Sequence, residues 1–404
     1  MTESATPARQ RGNRRRLTGL LLAEVVSTLG SEMTAVALPW LVLITTGSAT
    51  RTSAVLAAQF AGMALLGLWG GQLATRLGAR TMMLVSDLAR AGLTALIPLL
   101  LWAQVWSFPA ILVVGLVVGA FFPGYSSAQR LVLADIVGDD EVRLTRAGGL
   151  MGSLNEAASF AGPALGGALV ALAGAADVLL VDAASYLCAF LLVALLVGAR
   201  GTKTGAHEAD AEHDTGVLAG LRYVIGSRPL RRQMLGIGFV EVGWTAMMAT
   251  LPLLALHDGG GATTAGWLLA AYGGGSVMGG LLATRTRRVD GRTTSWALVG
   301  LAASTWVLVV PAPIWVRAAA IAANGVCAGV FFPRFFASLT TRTPAQLRAR
   351  VMTAVTIGIS APAPLGFLGA GLLVQQSGSI TPSLGLVCAT VTLGAVLLIR
   401  QQMR

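Results

Sequence analysis

Charge is what this chain has least of. Only 12% of its 404 residues are Asp, Glu, Lys or Arg, while 55% are hydrophobic. The mean hydropathy is +0.72. A soluble globular domain carries roughly 25% charged residues, so a water-soluble protein of this length could not cover its surface. Lysine is nearly missing: Lys203 stands alone, and the net charge of +11 is carried by arginine. The arginines lie in short gaps between apolar runs and form no basic face with interleaved aromatics, which excludes nucleic acid as the partner. The three cysteines, Cys188, Cys327 and Cys388, all sit inside apolar runs. There a thiol acts as a small hydrophobe, and no disulfide framework is expected. Histidine is equally scarce, and no Ser-His-Asp set, Cys-His pair or Glu-x-x-His metal site can be assembled, so an enzyme is not expected. The glycine-rich "YGGGSVMGG", Tyr272 to Gly280, follows no strand and precedes no Gly-Lys-Ser/Thr. It reads as helix packing, not a phosphate cradle, and leaves ATP without a direct role. No cofactor or metal is expected. No long soluble domain is present to favour a membrane sensor.

What remains is a succession of long apolar runs. About 20 apolar residues rising 1.5 Å each cross the hydrocarbon core. Every backbone polar group must then be paired internally, and the runs are too long for barrel strands, so the spans are helical. They lie at roughly 17–46, 53–74, 81–102, 108–129, 147–172, 177–198, 232–256, 264–283, 293–311, 314–336, 351–375 and 381–399. The fold class is therefore an all-α membrane protein of about twelve transmembrane helices. Arginine concentrates in the N-terminal tail, alternate loops and the C-terminus, while the opposite loops hold only Arg51 and Arg317. By the positive-inside rule both termini are cytoplasmic, and Arg130 and Arg334 are anchors at the membrane interface. The first run is too long for a signal core and lacks a small-residue cleavage site, so it is read as a first span. The excess of arginine over lysine, with abundant Ala and Gly, suggests a GC-rich bacterial genome, and the expected location is the bacterial cytoplasmic membrane.

Four segments follow: a basic cytoplasmic tail (1–16), a first six-helix bundle (17–198), a cytoplasmic linker (199–231) and a second six-helix bundle (232–404). The linker opens with the polar tether "ARGTKTGAHEADAEHDTG" and ends in an arginine-bearing amphipathic stretch that reads as an interfacial helix. His207 and His213 with Glu208, Asp210 and Glu212 offer metal-ligand types, but a solvated tether is the simpler reading. The halves repeat one another. "GGQLATR" from Gly70 matches "GGLLATR" from Gly279, an offset of 209 residues. "VGAFFP" ending at Pro123 matches "AGVFFP" ending at Pro333, and "ALPWL" around Pro39 matches "TLPLL" around Pro252. Ordered matches at similar offsets imply two pseudo-symmetric bundles. This is a transporter design in which substrate binds near the midplane between repeats.

With these landmarks the chain resembles the major facilitator superfamily. The family's signature after the second span is met by Gly71, Leu73, Ala74, Arg76, Gly78 and Arg80, whereas Thr75 replaces its acid and Ala79 a basic residue. In the family that acid helps latch the cytoplasmic helix ends, and a threonine cannot form the charge-assisted bond. "GPALGG" in span five, with Gly162, Pro163, Gly166 and Gly167, resembles the antiporter motif. Its other reading is close helix packing around a proline bend. "LGSEMTAVALPWLVL" and "LVDAASYL" look like the branch holding macrolide-efflux and siderophore-export proteins, though the arginine common in span four of drug–proton antiporters is missing.

Acids inside the spans complete the reading. Each costs roughly 2.5–3.5 kcal/mol to insert at membrane depth, so it must face protein or water. Glu24 and Glu32 in span one lie roughly 80° apart on one side of a helix. Glu32 and Glu241, the latter in span seven, are the first candidates for a proton or cationic substrate group; Glu24, Glu156, Asp182 and Asn155 follow. For Glu32 the alternative is a neutral acid bonded to a neighbouring helix. Asp87 and Arg90 share a face of span three and form a structural pair, or else a gate or relay. The expected function is secondary active export of a hydrophobic or amphipathic small molecule (antibiotic, drug or siderophore-like), by proton antiport with alternating access. A facilitator or importer of the same fold, or a non-transporting sensor, is the alternative. The expected partners are that small molecule, protons and lipid, with the protein acting as a monomer.

Overall fold

The computed structural model describes residues 7–105, 107–138, 141–198, 222–285, 291–342, 351, 355 and 358–402. The tether with His207 and His213, and most of the 338–350 loop, lie outside these residues. Twelve long helices are described: α1 (Pro7–Thr46), α2 (Ala49–Leu77), α3 (Ala79–Trp102), α4 (Phe108–Val137), α5 (Glu141–Ala173), α6 (Ala175–Leu196), α7 (Arg228–His257), α8 (Ala262–Arg285), α9 (Gly291–Val307), α10 (Ile314–Arg342), α11 (Ala363–Ser377) and α12 (Thr381–Gln402). No strand occurs among the described residues. Nine stretches among them are long and apolar enough to cross a membrane. Residues 222–226 form a short helical segment where the sequence predicts an interfacial helix.

The helices reproduce the repeat. Pro39 and Pro252 lie inside α1 and α7, and Pro123 and Pro333 inside α4 and α10. The glycine–arginine junctions end α2 and α8. Each landmark and its counterpart are thus six helices apart. One expected span is interrupted: residues 358–360 are helical, 361–362 form a turn, and α11 starts anew at Ala363. Pro362 and Pro364 in "APAP" withhold two backbone donors and crowd the preceding turn, which breaks the helix.

By packing, the chain divides into two units. The first comprises residues 1–38 and 61–205, the second 39–60 and 206–404. The sequence runs assign 39–60 to the first bundle, whereas packing joins the end of α1 and the start of α2 to the second unit. There Thr50 Oγ1 donates to Gly371 O (3.1 Å), and the Phe60 and Phe367 rings lie 5.1 Å apart.

Lipid is as apolar as leucine, so helices associate here through close packing. In the second unit a Cβ on Gly275 would meet Ala322 O at 2.1 Å, and one on Gly325 would meet Tyr272 O at 2.1 Å. Gly279 and Gly329 make equivalent approaches. The glycine-rich stretch of α8 is thus the seam along which α8 and α10 touch backbone to backbone, as the sequence predicts. In the first unit the span-five motif does the same work. A Cβ on Gly162 would meet Glu32 Cβ at 2.4 Å, and one on Gly166 would meet Met33 Cα at 2.7 Å, so α5 lies directly on α1.

Of the loop signature, the surroundings of Gly71 and the side chains of Leu73, Ala74 and Thr75 lie outside what the structure describes. Gly78 sits at φ 83°, a left-handed turn that separates α2 from α3. Arg76 is exposed. Arg80 donates from Nε to Val197 O (2.6 Å) and from Nη2 to Ala194 O (2.8 Å). Its guanidinium fork covers unpaired carbonyls at the C-terminal end of α6, where helix polarity favours a cation. Arg130 is exposed, in keeping with an anchor, but Arg334 is not. It is only 5% exposed, within α10, and its Nη1 donates to Val330 O at 2.9 Å. Its helical phase turns it inward. The cysteines also differ in their settings: Cys388 is buried, Cys327 half-buried and Cys188 on the surface of α6.

Candidate functional site

Each unit holds its own acid-bearing site. In the first, α1 supplies both expected glutamates and α5 answers them one turn apart. Asn155 Nδ2 donates to Glu24 Oε1 at 2.8 Å, and Ser159 Oγ donates to Glu32 Oε1 at 2.8 Å. Gln129 of α4 donates to the second oxygen of Glu24. Glu24 is buried by these partners, while Glu32 remains half-exposed. Asp182 of α6 is buried, accepting from Thr34 Oγ1 (2.7 Å) on α1 and Ser185 Oγ (3.2 Å) on its own helix. Glu156 is exposed, so of the Asn155–Glu156 pair it is Asn155 that joins this network. One helical step of about 100° separates the two outcomes.

Asp87 and Arg90 pair with each other on α3, Asp87 Oδ1 to Arg90 Nη2 at 2.8 Å. Asp87 is 0% and Arg90 4% exposed. Sequence reasoning missed what surrounds them. The guanidinium carbon of Arg90 lies 4.4 Å from the ring centroids of both Tyr125 and Tyr186, on α4 and α6. Two aromatic faces around one cation compensate for lost hydration. The Tyr186 hydroxyl in turn reaches Ser31 Oγ of α1 at 2.8 Å. Asp87 Oδ2 and the Tyr125 hydroxyl have no partner among the described residues. The only available signal was rarity: the chain has four tyrosines, and two of them close on this arginine.

The second unit contains a cavity of about 100 Å³ that Glu241 of α7 lines. Glu241 is half-buried; its backbone carbonyl accepts from Thr245 Oγ1 (3.0 Å), but its carboxylate has no hydrogen-bond or ion-pair partner among the described residues. Trp244, one turn on, stacks against Tyr272 of α8 with ring centroids 3.8 Å apart and planes inclined by 33°. Met247, Phe332 and Val391 supply apolar wall, and Asn324 of α10 and Thr305 of α9 supply polar atoms. Asn324 Nδ2 donates to Leu301 O (3.0 Å) and Ser304 Oγ (2.9 Å), while Thr305 Oγ1 donates to Ala302 O (2.7 Å). No group of three or more His, Cys, Asp or Glu suited to a metal occurs among the described residues.

Residues 11–404 match the transmembrane secretion effector family. The curated relatives include the multidrug efflux pump Tap of Mycolicibacterium fortuitum, 28% identical over 398 residues and covering 95% of both chains. The Tap pump of Mycobacterium tuberculosis is 27% identical over 388 residues, covering 93% of this chain and 91% of its own. Among solved structures, a bacterial homologue of the iron transporter ferroportin aligns with TM-score 0.73 at 17% identity, covering 98% of this chain and 99% of its own. The nucleoside transporter NupG aligns with TM-score 0.71 at 12% identity, covering 96% and 99%. At these identities the solved structures speak for the fold alone, which is that of transporters.

Proposed function

Since the chain belongs to the transmembrane secretion effector family, a multi-pass membrane family, we propose that it is a secondary active exporter of a hydrophobic or amphipathic small molecule. The efflux pumps it resembles support this reading. The observation that carries it is a carboxylate at span depth in each unit: Glu32 held by one hydroxyl, and Glu241 in a largely apolar cavity without a partner. A carboxylate left so lightly compensated gains from binding a proton or a cation. That is the property a carrier needs if one ion is to exchange with one substrate. In this proposal twelve spans form two six-helix bundles with both termini cytoplasmic, and transport proceeds by alternating access. Glu24, Asn155 and Gln129 brace α1 against α4 and α5, and the Asp87–Arg90 pair fixes α3.

A drug-sensitive bacterial host expressing the protein should tolerate higher concentrations of some members of a compound panel than the host with an empty vector. Glu32→Gln and Glu241→Gln keep side-chain size and remove the charge. Each should bring tolerance back toward the empty-vector value at matched membrane abundance. If both variants protect as fully as the parent, the two carboxylates are not the coupling groups.

A further inference from the structure

We infer that the cavity of the second unit binds the protonated amine head of an amphipathic organic cation, with Glu241 as its counter-charge and Trp244 and Tyr272 as its aromatic wall. Among the described residues the lining contains no Lys, Arg or His to neutralise Glu241. Two of the polar groups in the lining, Asn324 and Thr305, have their side-chain hydrogens committed elsewhere. Asn324 Nδ2 donates to Leu301 O and Ser304 Oγ, which leaves its Oδ1 as an acceptor, and the Thr305 hydroxyl gives its proton to Ala302 O. A carboxylate, an amide oxygen and a hydroxyl lone pair all favour a donor-rich cation and oppose an anion. The stacked Trp244–Tyr272 rings add electron-rich faces of the kind that attract ammonium groups.

Size narrows the class further. A cavity of about 100 Å³ takes a head group and a ring, whereas drug-sized ligands occupy roughly 300–1,000 Å³. The remainder of a larger molecule would extend beyond it. Acceptors with free lone pairs also select N–H-bearing ammonium over quaternary ammonium, which cannot donate.

As a statement of what the exporter recognises, this rests on the efflux reading, but its test needs neither a gradient nor a direction. Purified full-length protein in detergent is titrated calorimetrically with benzylammonium, benzyl alcohol and benzoate at one pH and salt concentration. Benzylammonium should bind, and the other two should bind at least about tenfold more weakly, since they lack the charge or reverse it. Glu241→Gln should weaken benzylammonium by about tenfold or more, whereas Glu241→Asp should retain part of the affinity. Asp135→Asn, which removes an exposed partner of Arg16 in the first unit, should bind as the parent does. Unchanged elution and melting of Glu241→Gln would show that it folds. Equal binding by Glu241→Gln, or equal binding of benzyl alcohol or benzoate, overturns the assignment. A parent protein that fails to bind benzylammonium yet sustains energised efflux would fault this site alone; one that binds it but sustains no efflux would fault the efflux reading.

Discussion

Gly325→Val should yield almost no folded protein. A Cβ at this position would lie 2.1 Å from Tyr272 O and 2.9 Å from Ser276 N, both backbone atoms of α8. Flexible side chains can yield to such a contact, but a helix backbone cannot. The two helices would have to separate along the whole seam that Gly275, Gly279, Gly325 and Gly329 form. Losses above about 4 kcal/mol arise from few mechanisms, and overpacking at a backbone contact is among them. The same displacement would shift Tyr272 away from Trp244 and deform the cavity beside Glu241. Gly280 supplies the internal comparison, since a Cβ there meets nothing within 4 Å. Gly280→Ala should therefore keep or slightly raise stability, by up to about 1 kcal/mol from helix propensity. Size-exclusion profiles of fluorescently tagged variants check both. A monodisperse Gly325→Val peak of parental height would contradict the packing described.

The second large effect concerns Arg90. Arg90→Ala leaves Asp87 with no charge partner at 0% exposure and leaves Tyr125 and Tyr186 facing a void. Removing one member of a buried pair costs about 3–5 kcal/mol, because the other charge stays uncompensated. Folded proteins hold only about 5–15 kcal/mol in reserve. The variant should melt far below the parent in detergent, and transport should fall with it. Adding Asp87→Asn removes the stranded charge and should recover part of the loss. If Arg90→Ala melts as the parent does, the pair is not a structural brace, and if the double variant melts no higher than Arg90→Ala, the stranded charge is not the cause.

Much of the helix pattern could be read beforehand because lipid permits little else. Apolar length called for helices, and the placement of Gly70, Pro123 and Pro39 anticipated their counterparts in α8, α10 and α7. Spacing also carried the Asp87–Arg90 contact and the shared side of Glu24 and Glu32, since both follow from the helix turn alone. What depended on neighbours was hidden. Glu156 and Asn155 are adjacent, yet only the fold reveals which one meets Glu24. Arg334 looked like an anchor because an arginine near a span end usually snorkels, but its phase on α10 buries it. The Tyr125–Arg90–Tyr186 stack joins three helices whose relative rotation no periodicity specifies. Trp244 and Tyr272 are likewise 28 residues apart in sequence and in contact in space. The interruption at 361–362 is a different case: the paired prolines stood in plain view inside an otherwise unbroken apolar run.

Inside-out membrane vesicles offer the most direct test of the central claim, that the carboxylates couple substrate export to protons. With respiration acidifying the lumen, vesicles bearing the parent protein should accumulate a labelled substrate found by the host panel, and a protonophore should collapse that accumulation. Glu241→Gln and Glu32→Gln vesicles, matched for protein content, should accumulate far less. Accumulation that persists through the protonophore, or that both variants sustain at the parental rate, would contradict the account.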